Sequence, residues 1–265
     1  METNWILFWR ITFDVIEGAI RLQQEITWWE YDDQSGALLY TRRDRTVEDL
    51  PYRLVGDATV MRDHVVFRGG YLEARTLDLL AYAQKRLGVH IDLEELSQTL
   101  GQGENIAIRA DVKLHPIGPV AYPIFYLPQS PADPALAVRL LVDEGGDLTR
   151  RVVWTISGQF LGSPGNYHLA HFDGWHAVRV RQDHDTRDGD FYEFLIDGAP
   201  MGDGPAAPPT HHFEPTPQTF YIGRTPELPD GLYGEVYHLD FDPNDSCGGC
   251  PRRPQPDSPH TNPVG

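Results

Sequence analysis

The sequence predicts an all-β chain folded as a jelly-roll sandwich of two antiparallel sheets, with one small helical insertion. Three observations carry this. The run from Gly174 to Asp242 reads GWHAVRVRQD, FYEFLIDG, TFYIGR and GLYGEVYHLDFD, each block alternating, rich in aromatic and β-branched residues, and bounded by Gly, Pro or Asp. That is the pattern of successive half-buried strands. The same rhythm recurs upstream, so that about a dozen extended segments follow one another at short spacing, which suits a jelly roll better than a small barrel. Helical periodicity is confined to residues 75–101.

Taken in order, the chain opens on the apolar run Trp5-Ile6-Leu7-Phe8-Trp9, after which Ile11, Phe13 and Val15 alternate with Thr12 and Asp14. A buried strand fits this best, with a short amphipathic helix as the alternative. The run can pack as core or edge, or it can dock on a partner or another subunit. Residues 1–21 are therefore set apart as an N-terminal arm or edge strand, ahead of a sandwich domain over 22–246. Ile20 to Tyr31 is a strand ending in Trp28-Trp29, and Asp32 to Gly36 is a turn. Residues 37–56 read as a polar loop holding a basic cluster of Arg42, Arg43 and Arg45. Leu54 to Val60 and His64 to Phe67 are two short strands, and Gly69-Gly70 turns the chain into Tyr71-Leu72-Glu73.

The period then changes. Leu77, Leu80, Gln84 and Leu87 stand at helical spacing before Gly88. Asp92, with Glu95 in the capping-box position, opens a second helix striped by Leu93, Leu96 and Leu100 and ended by Gly101. This hairpin can cover one end of the sandwich, form a lid beside a ligand site, or present a docking surface. Strict alternation returns over Asn105 to His115, with Ile106, Ile108, Ala110, Val112 and Leu114 on one face. Ile124 to Leu127, Leu136 to Val142 and Arg151 to Ile156 are further strands, separated by a Pro-rich loop over Gln129 to Ala135 and a turn at Gly145-Gly146-Asp147. In the closing run His176, Val178 and Val180 share one face, opposite Ala177, Arg179 and Arg181, and Asp197-Gly198 supplies a hairpin turn.

Composition narrows the function. The 265 residues are 40% hydrophobic and 11% aromatic, ample for a core, and the formal net charge is −17. Phosphate binding needs clustered Lys and Arg, so a nucleic acid partner is not expected, nor is an anionic membrane surface. The chain starts Met-Glu-Thr-Asn without a basic n-region, and Arg10, Asp14 and Glu17 break its first apolar stretch. A soluble protein without a membrane span or classical export signal is expected. From Cys247 to Gly265 a Pro-rich tail holds almost no apolar residue, too little to offset its ordering entropy.

The order of these blocks resembles the laminin-G-like branch of the concanavalin A-like lectin and glucanase sandwiches, over roughly residues 22–242. The resemblance lies in Thr27 to Asp32 leading to Gly36, Leu54-Val55-Gly56-Asp57-Ala58, Phe67 to Glu73, and Ile108 to Lys113. At the end of the chain it continues through Trp175 to Val180, Ile196-Asp197-Gly198, Tyr221-Ile222-Gly223-Arg224, and Gly234 to Phe241. It implies a concanavalin A-like fold and a binding module for carbohydrate. The alternative, suggested by the apolar arm, the helical insertion and the tail, is a structural or protein-interaction subunit of a larger assembly, with a protein as partner.

Candidate chemistry follows residue by residue. Hydrolysing relatives carry several carboxylates on one strand face, where period-2 geometry sets acid/base separation. Glu193 and Asp197 are separated on their face by Leu195, and Glu235 shares its face with Tyr237 and Leu239, so catalysis is not expected. Trp28, Trp29, Tyr31, Tyr71 and Trp175 are candidates for stacking on sugar rings, although Trp175 matches a structural position of the resembling family. His168 and His171 are candidate ligand contacts, while His176 is expected to face the core. Ca²⁺ is the one cofactor considered: Asp183, Asp185, Asp188 and Asp190 crowd one loop, yet Arg68 stands where relatives often place a calcium aspartate. Cys247 and Cys250 have the C-x-x-C form without a second ligand pair, which points to a local disulfide or two free thiols.

Overall fold

The computed structural model describes residues 3–32, 40–87, 106–115, 121–128, 136–142, 149–156, 159–161, 167–168, 174–185, 189–205, 216–226 and 229–242. In chain order the strands are β1 (Thr3–Ile16), β2 (Ala19–Asp32), β3 (Tyr40–Asp49), β4 (Tyr52–Val55), β5 (Ala58–Val60), β6 (Val65–Arg75), β7 (Ile106–Leu114), β8 (Ala121–Leu127) and β9 (Leu136–Val142). They continue as β10 (Thr149–Ile156), β11 (Gln159–Leu161), β12 (Tyr167–His168), β13 (His176–Asp185), β14 (Gly189–Ile196), β15 (Ala199–Pro205), β16 (Thr219–Ile222) and β17 (Leu232–Asp242). The helix α1 (Leu79–Leu87) lies between β6 and β7. The expected all-β jelly-roll sandwich is what the chain forms.

Pairing is antiparallel throughout. The first sheet runs β3-β2-β1-β17-β7-β13-β14-β15. The second runs β4-β6-β16-β8-β9-β10, with β11 and β12 on β10. Strand β6 belongs to both. Val65 to Gly70 pair with β5 and β17 in the first sheet, whereas Tyr71 to Arg75 pair with β4 and β16 in the second. Gly69-Gly70 is thus not the expected turn but a crossing point inside one strand. Gly69 takes φ +82°, and a Cβ on Gly70 would stand 2.6 Å from the Asp57 carbonyl oxygen, so glycine lets the neighbouring backbones touch.

The core lies between the sheets. Alternation delivers Ile11 and Phe13 from β1, Ile108 and Val112 from β7, Val178 and Val180 from β13, and Leu239 and Phe241 from β17, all buried. Facing them are Phe125 of β8 and Phe220 and Ile222 of β16. Phe125 and Phe241 meet across the layers with ring centroids 5.0 Å apart, and Trp9 closes on Phe241 edge-first at 5.6 Å. The N-terminal run is therefore a strand and not a helix: β1 pairs with β2 throughout and, among the described residues, with β17 at Ile11 to Asp14.

Two hairpins turn on paired positive φ values. Glu17-Gly18 joins β1 to β2 at 52° and 81°, and Asp197-Gly198 joins β14 to β15 at 53° and 79°. This is the type I′ geometry that suits twisted strands. The Asp-Gly turn was expected; the Glu-Gly one carries no such signal.

Three expectations change. Tyr40–Asp49 is a strand rather than part of a polar loop, because β3 pairs with β2 on one side and takes polar residues like other edge strands. Leu54 to Val60 splits into two strands at Gly56-Asp57, Gly56 having φ +74°. Of the expected helical stripe Leu77 and Leu80 pack against the core, beside the more deeply buried Leu79 of α1, while Gln84 is exposed. Asp78 caps the helix, its Oδ1 accepting from the Ala81 amide at 2.9 Å. The buried Gln24 side chain of β2 accepts from the Leu77 amide at 2.8 Å and ties this segment to the sandwich. The second expected helix lies outside the described residues.

Candidate functional site

The outer faces of the two sheets differ in chemistry. On the first sheet the charges are largely answered by neighbours. Arg10 and Arg45 both reach Glu25, at 3.1 and 2.8 Å, Arg109 lies 3.4 Å from Asp111, and His238 donates to Asp14 at 2.6 Å. Glu235, its side chain 13% exposed, sits 3.2 Å from Lys113 Nζ, 3.0 Å from His115 Nε2 and 3.3 Å from His64 Nε2. Burial pushes its carboxyl up. Hydrogen bonds from His115 and Lys113, with the charges of Lys113 and His64, outweigh this and hold it below the usual carboxylate range.

Trp175 stands edge-on to His64 at 5.5 Å and to Tyr237 at 6.2 Å, and so roofs this network. Tyr237 is the extra residue of a bulge between Val236 and His238. The bulge reverses parity, so Leu239 does not share a face with Glu235, as period-2 spacing suggested, but lies buried in the core. Burial and the negative charges of Asp14, Asp63 and Asp111 push the Tyr237 hydroxyl up.

The second sheet carries tyrosines outward. Its inner positions on β16 are Phe220 and Ile222, which leaves Tyr221 outside, opposite Tyr126 of β8 and Glu73 of β6. Tyr71 lies two residues from Glu73 on the same face of β6. Ring centroids are 6.0 Å apart for Tyr71 and Tyr221 and 6.1 Å for Tyr126 and Tyr221. Gly223, at φ +86°, turns the chain so that Arg224 folds back over this row. Its Cζ lies 4.6 Å from the Tyr71 ring centroid and 5.4 Å from that of Tyr221, and Nη1 donates to the Tyr71 hydroxyl at 2.8 Å. All four side chains are half-buried. Glu73 is held by Arg53, whose Nη2 donates to both carboxylate oxygens at 2.9 Å.

Of the residues singled out from sequence, Tyr71 belongs to this face and Trp175 to the other sheet. Trp28, Trp29 and Tyr31 stand near the end of β2, opposite Leu7, Ile6 and Asn4 of β1, and only their backbone is described. His168 pairs with Thr149 on β10, distant in the strand order, and His171 is outside the described residues. The register sets Asp183 and Asp185 at positions of one face of the β13–β14 ribbon, and Asp190, opposite His184, at a position of the other. Asp188, Cys247 and Cys250 are outside the described residues. Among those described, no group of three or more His, Cys, Asp or Glu side chains is placed to hold a metal ion. His176 takes the inner parity expected of it, but its ring is half-buried and its Nδ1 donates to Asp197 at 2.7 Å.

Sequence reasoning missed Tyr126, Tyr221 and Arg224. Alternation in Thr-Phe-Tyr-Ile separates Tyr221 from Phe220, but only pairing with β6 and β8 shows that three tyrosines from distant segments share one face.

In class the molecule is an all-β jelly-roll sandwich of two antiparallel sheets. No family model and no curated protein matches its sequence. Among solved structures it is similar to a Trypanosoma rangeli sialidase in complex with a difluorinated KDN, at 14% identity and TM-score 0.44, over 71% of this chain and 26% of that one. It is also similar to botulinum neurotoxin type C, described as depending on two ganglioside molecules for cell entry, at 9% identity and TM-score 0.48, over 88% and 47%. The carbohydrate recognition domain of Emp47p matches at 11% identity and TM-score 0.38, over 72% and 87%. The chain thus spans about a quarter of the sialidase. None of these three reaches a TM-score of 0.5, and no residue role passes from them to this chain. Nor does a shared fold divide catalysis from binding. No helix among the described residues is long and apolar enough to cross a membrane.

Proposed function

We propose that this protein is a binding module that recognises a carbohydrate on the outer face of its second sheet. One observation carries the reading: Tyr71, Tyr126 and Tyr221 stand in a row on that face, away from the core, with Arg224 braced against them. Sugar rings present apolar C–H faces that stack on aromatic rings, while hydroxyl groups take hydrogen bonds from neighbouring polar groups. Strands fix the rings more rigidly than a loop would. The laminin-G-like order of motifs supports the same reading, and the charged first sheet, with its carboxylates engaged by Arg, Lys and His, suits it less.

The test is a glycan array followed by calorimetric titration of each hit with wild type, Tyr221→Ala and Tyr126→Ala. Binding that falls about tenfold in Tyr221→Ala, a loss of about 1.4 kcal/mol, is the expected result. Absence of any glycan hit, or hits unaffected by both substitutions, overturns it.

A second reading, as an assembly subunit, has its own observation. The described pairing of β17 with β1 covers only Ile11 to Asp14, whereas β2 pairs with β1 from Thr3 onward. A stretch carrying Trp5, Ile6, Leu7 and Phe8 thus extends past that contact. Deleting residues 1–8 would release a co-purifying partner if this reading holds, and would leave glycan binding untouched.

A further inference from the structure

Arg224 carries a charge that the described structure does not answer. Elsewhere on the described surface arginines meet carboxylates, as Arg10 and Arg45 meet Glu25, Arg53 meets Glu73, and Arg109 meets Asp111. Arg224 instead meets a phenol hydroxyl and two aromatic rings, and among the described residues it has no carboxylate partner. Glu73, which stands beside the row on β6, is engaged through both oxygens by Arg53. Three features of Arg224 then bear on function. Nη1 is spent on Tyr71, which fixes the plane of the guanidinium. The two rings shield one side of it from water while adding no negative charge. Arg224 is also half-buried, so that side-chain freedom is lost before any ligand arrives. A guanidinium held in this way is a preformed receptor for a planar oxyanion, which its remaining N–H groups can meet in pairs.

We propose that the ligand of the tyrosine face is an acidic glycan, its sugar rings stacking on Tyr221 and Tyr126 and its carboxylate pairing with Arg224. This rests on the aromatic-face reading above and narrows it to uronic or sialic acid units. A protein of net charge −17 repels polyanions at long range, so selection for such a ligand must come from a short, partly desolvated contact rather than from steering. Arg224 supplies such a contact, and the neutral rings around it impose no local repulsion.

The experiment uses the full chain and two matched probe pairs: sialyllactose against lactose, and an oligogalacturonate against its carboxyl-reduced form, alongside an array of acidic and neutral glycans. Wild type, Arg224→Gln, Arg224→Lys, Tyr221→Ala and Tyr126→Ala are titrated, with thermal midpoints recorded to show that each folds. Wild type is expected to prefer the acidic member of at least one pair by about tenfold to a hundredfold, the worth of one charge-assisted contact. Arg224→Gln should erase that preference, so that the acidic and neutral members of each pair bind alike. Arg224→Lys should retain part of it, because charge remains but the planar fork is lost. Equal binding of acidic and neutral glycans by wild type, or a preference that survives Arg224→Gln, overturns the acidic-ligand inference and leaves the stacking reading standing. No binding to any glycan, or full binding by Tyr221→Ala and Tyr126→Ala alike, sinks both.

Discussion

Asp197 shows how much one side chain can settle. Its φ of 53° opens the β14–β15 turn, its Oδ1 accepts from the Ala177 amide at 2.9 Å, and its Oδ2 accepts from His176. Asp is among the few residues that tolerate this backbone region while bonding locally. Asp197→Ala should cost about 1–3 kcal/mol in denaturant unfolding, because strain and an orphaned amide add; Asp197→Asn should cost less. Glu235 belongs to the same scale. Its folded pKa is depressed, so its contribution is fully present above the ordinary value of 4.5 and is lost as pH falls through 4.5 and then through the lower folded value. Glu235→Gln should therefore be less stable at neutral pH and lose less on acidification across that window. Parallel unfolding series from pH 7 to pH 3 read this directly; identical slopes in the two proteins would refute it.

At the scale of the element, β6 is the decisive piece. A strand can leave one sheet and join another only where its backbone bends and its neighbours come close. Gly70 stands 2.6 Å, by its missing Cβ, from the Asp57 carbonyl oxygen and 2.9 Å from that of Val55, and neither can move aside as a side chain would. Gly70→Ala should lower stability by about 1–3 kcal/mol. Gly174→Ala, which meets nothing within 4 Å, should stay within about 0.5 kcal/mol of wild type. Thermal unfolding of the two variants side by side makes the comparison. The bulge at Tyr237 acts likewise on β17, turning Glu235, Tyr237 and His238 outward while returning Leu239 and Phe241 to the core.

For the whole molecule, stability rests on the meeting of two sheets rather than on either one. Phe241 and Phe125 come from opposite layers with centroids 5.0 Å apart. Phe241→Ala should cost about 3–5 kcal/mol. The double variant with Phe125→Ala should cost less than the two single losses added together, because both open the same space. Additive losses would show that the layers are energetically separate. The same layering sorts surface chemistry: one outer face is laced with ion pairs and the other lined with tyrosines, and nothing local to either segment announces the difference.

What the sequence determined by itself was the strand character of its parts and the class of fold. Val178 and Val180, or Ile108, Ala110 and Val112, alternate strictly because one face of each strand is buried, and burial leaves its period in the residues. Edge strands leave a weaker trace, so β3 passed for a loop, and a Gly-Gly pair reads as a turn whether the chain reverses or only crosses between sheets. Tertiary structure alone decided the candidate site. Tyr71, Tyr126, Tyr221 and Arg224 span more than half the chain, and alternation says only that each tyrosine opposes its neighbours in the strand. Which strands lie side by side is set by pairing across long sequence separations. A candidate face made from three strands therefore has no local signature to read.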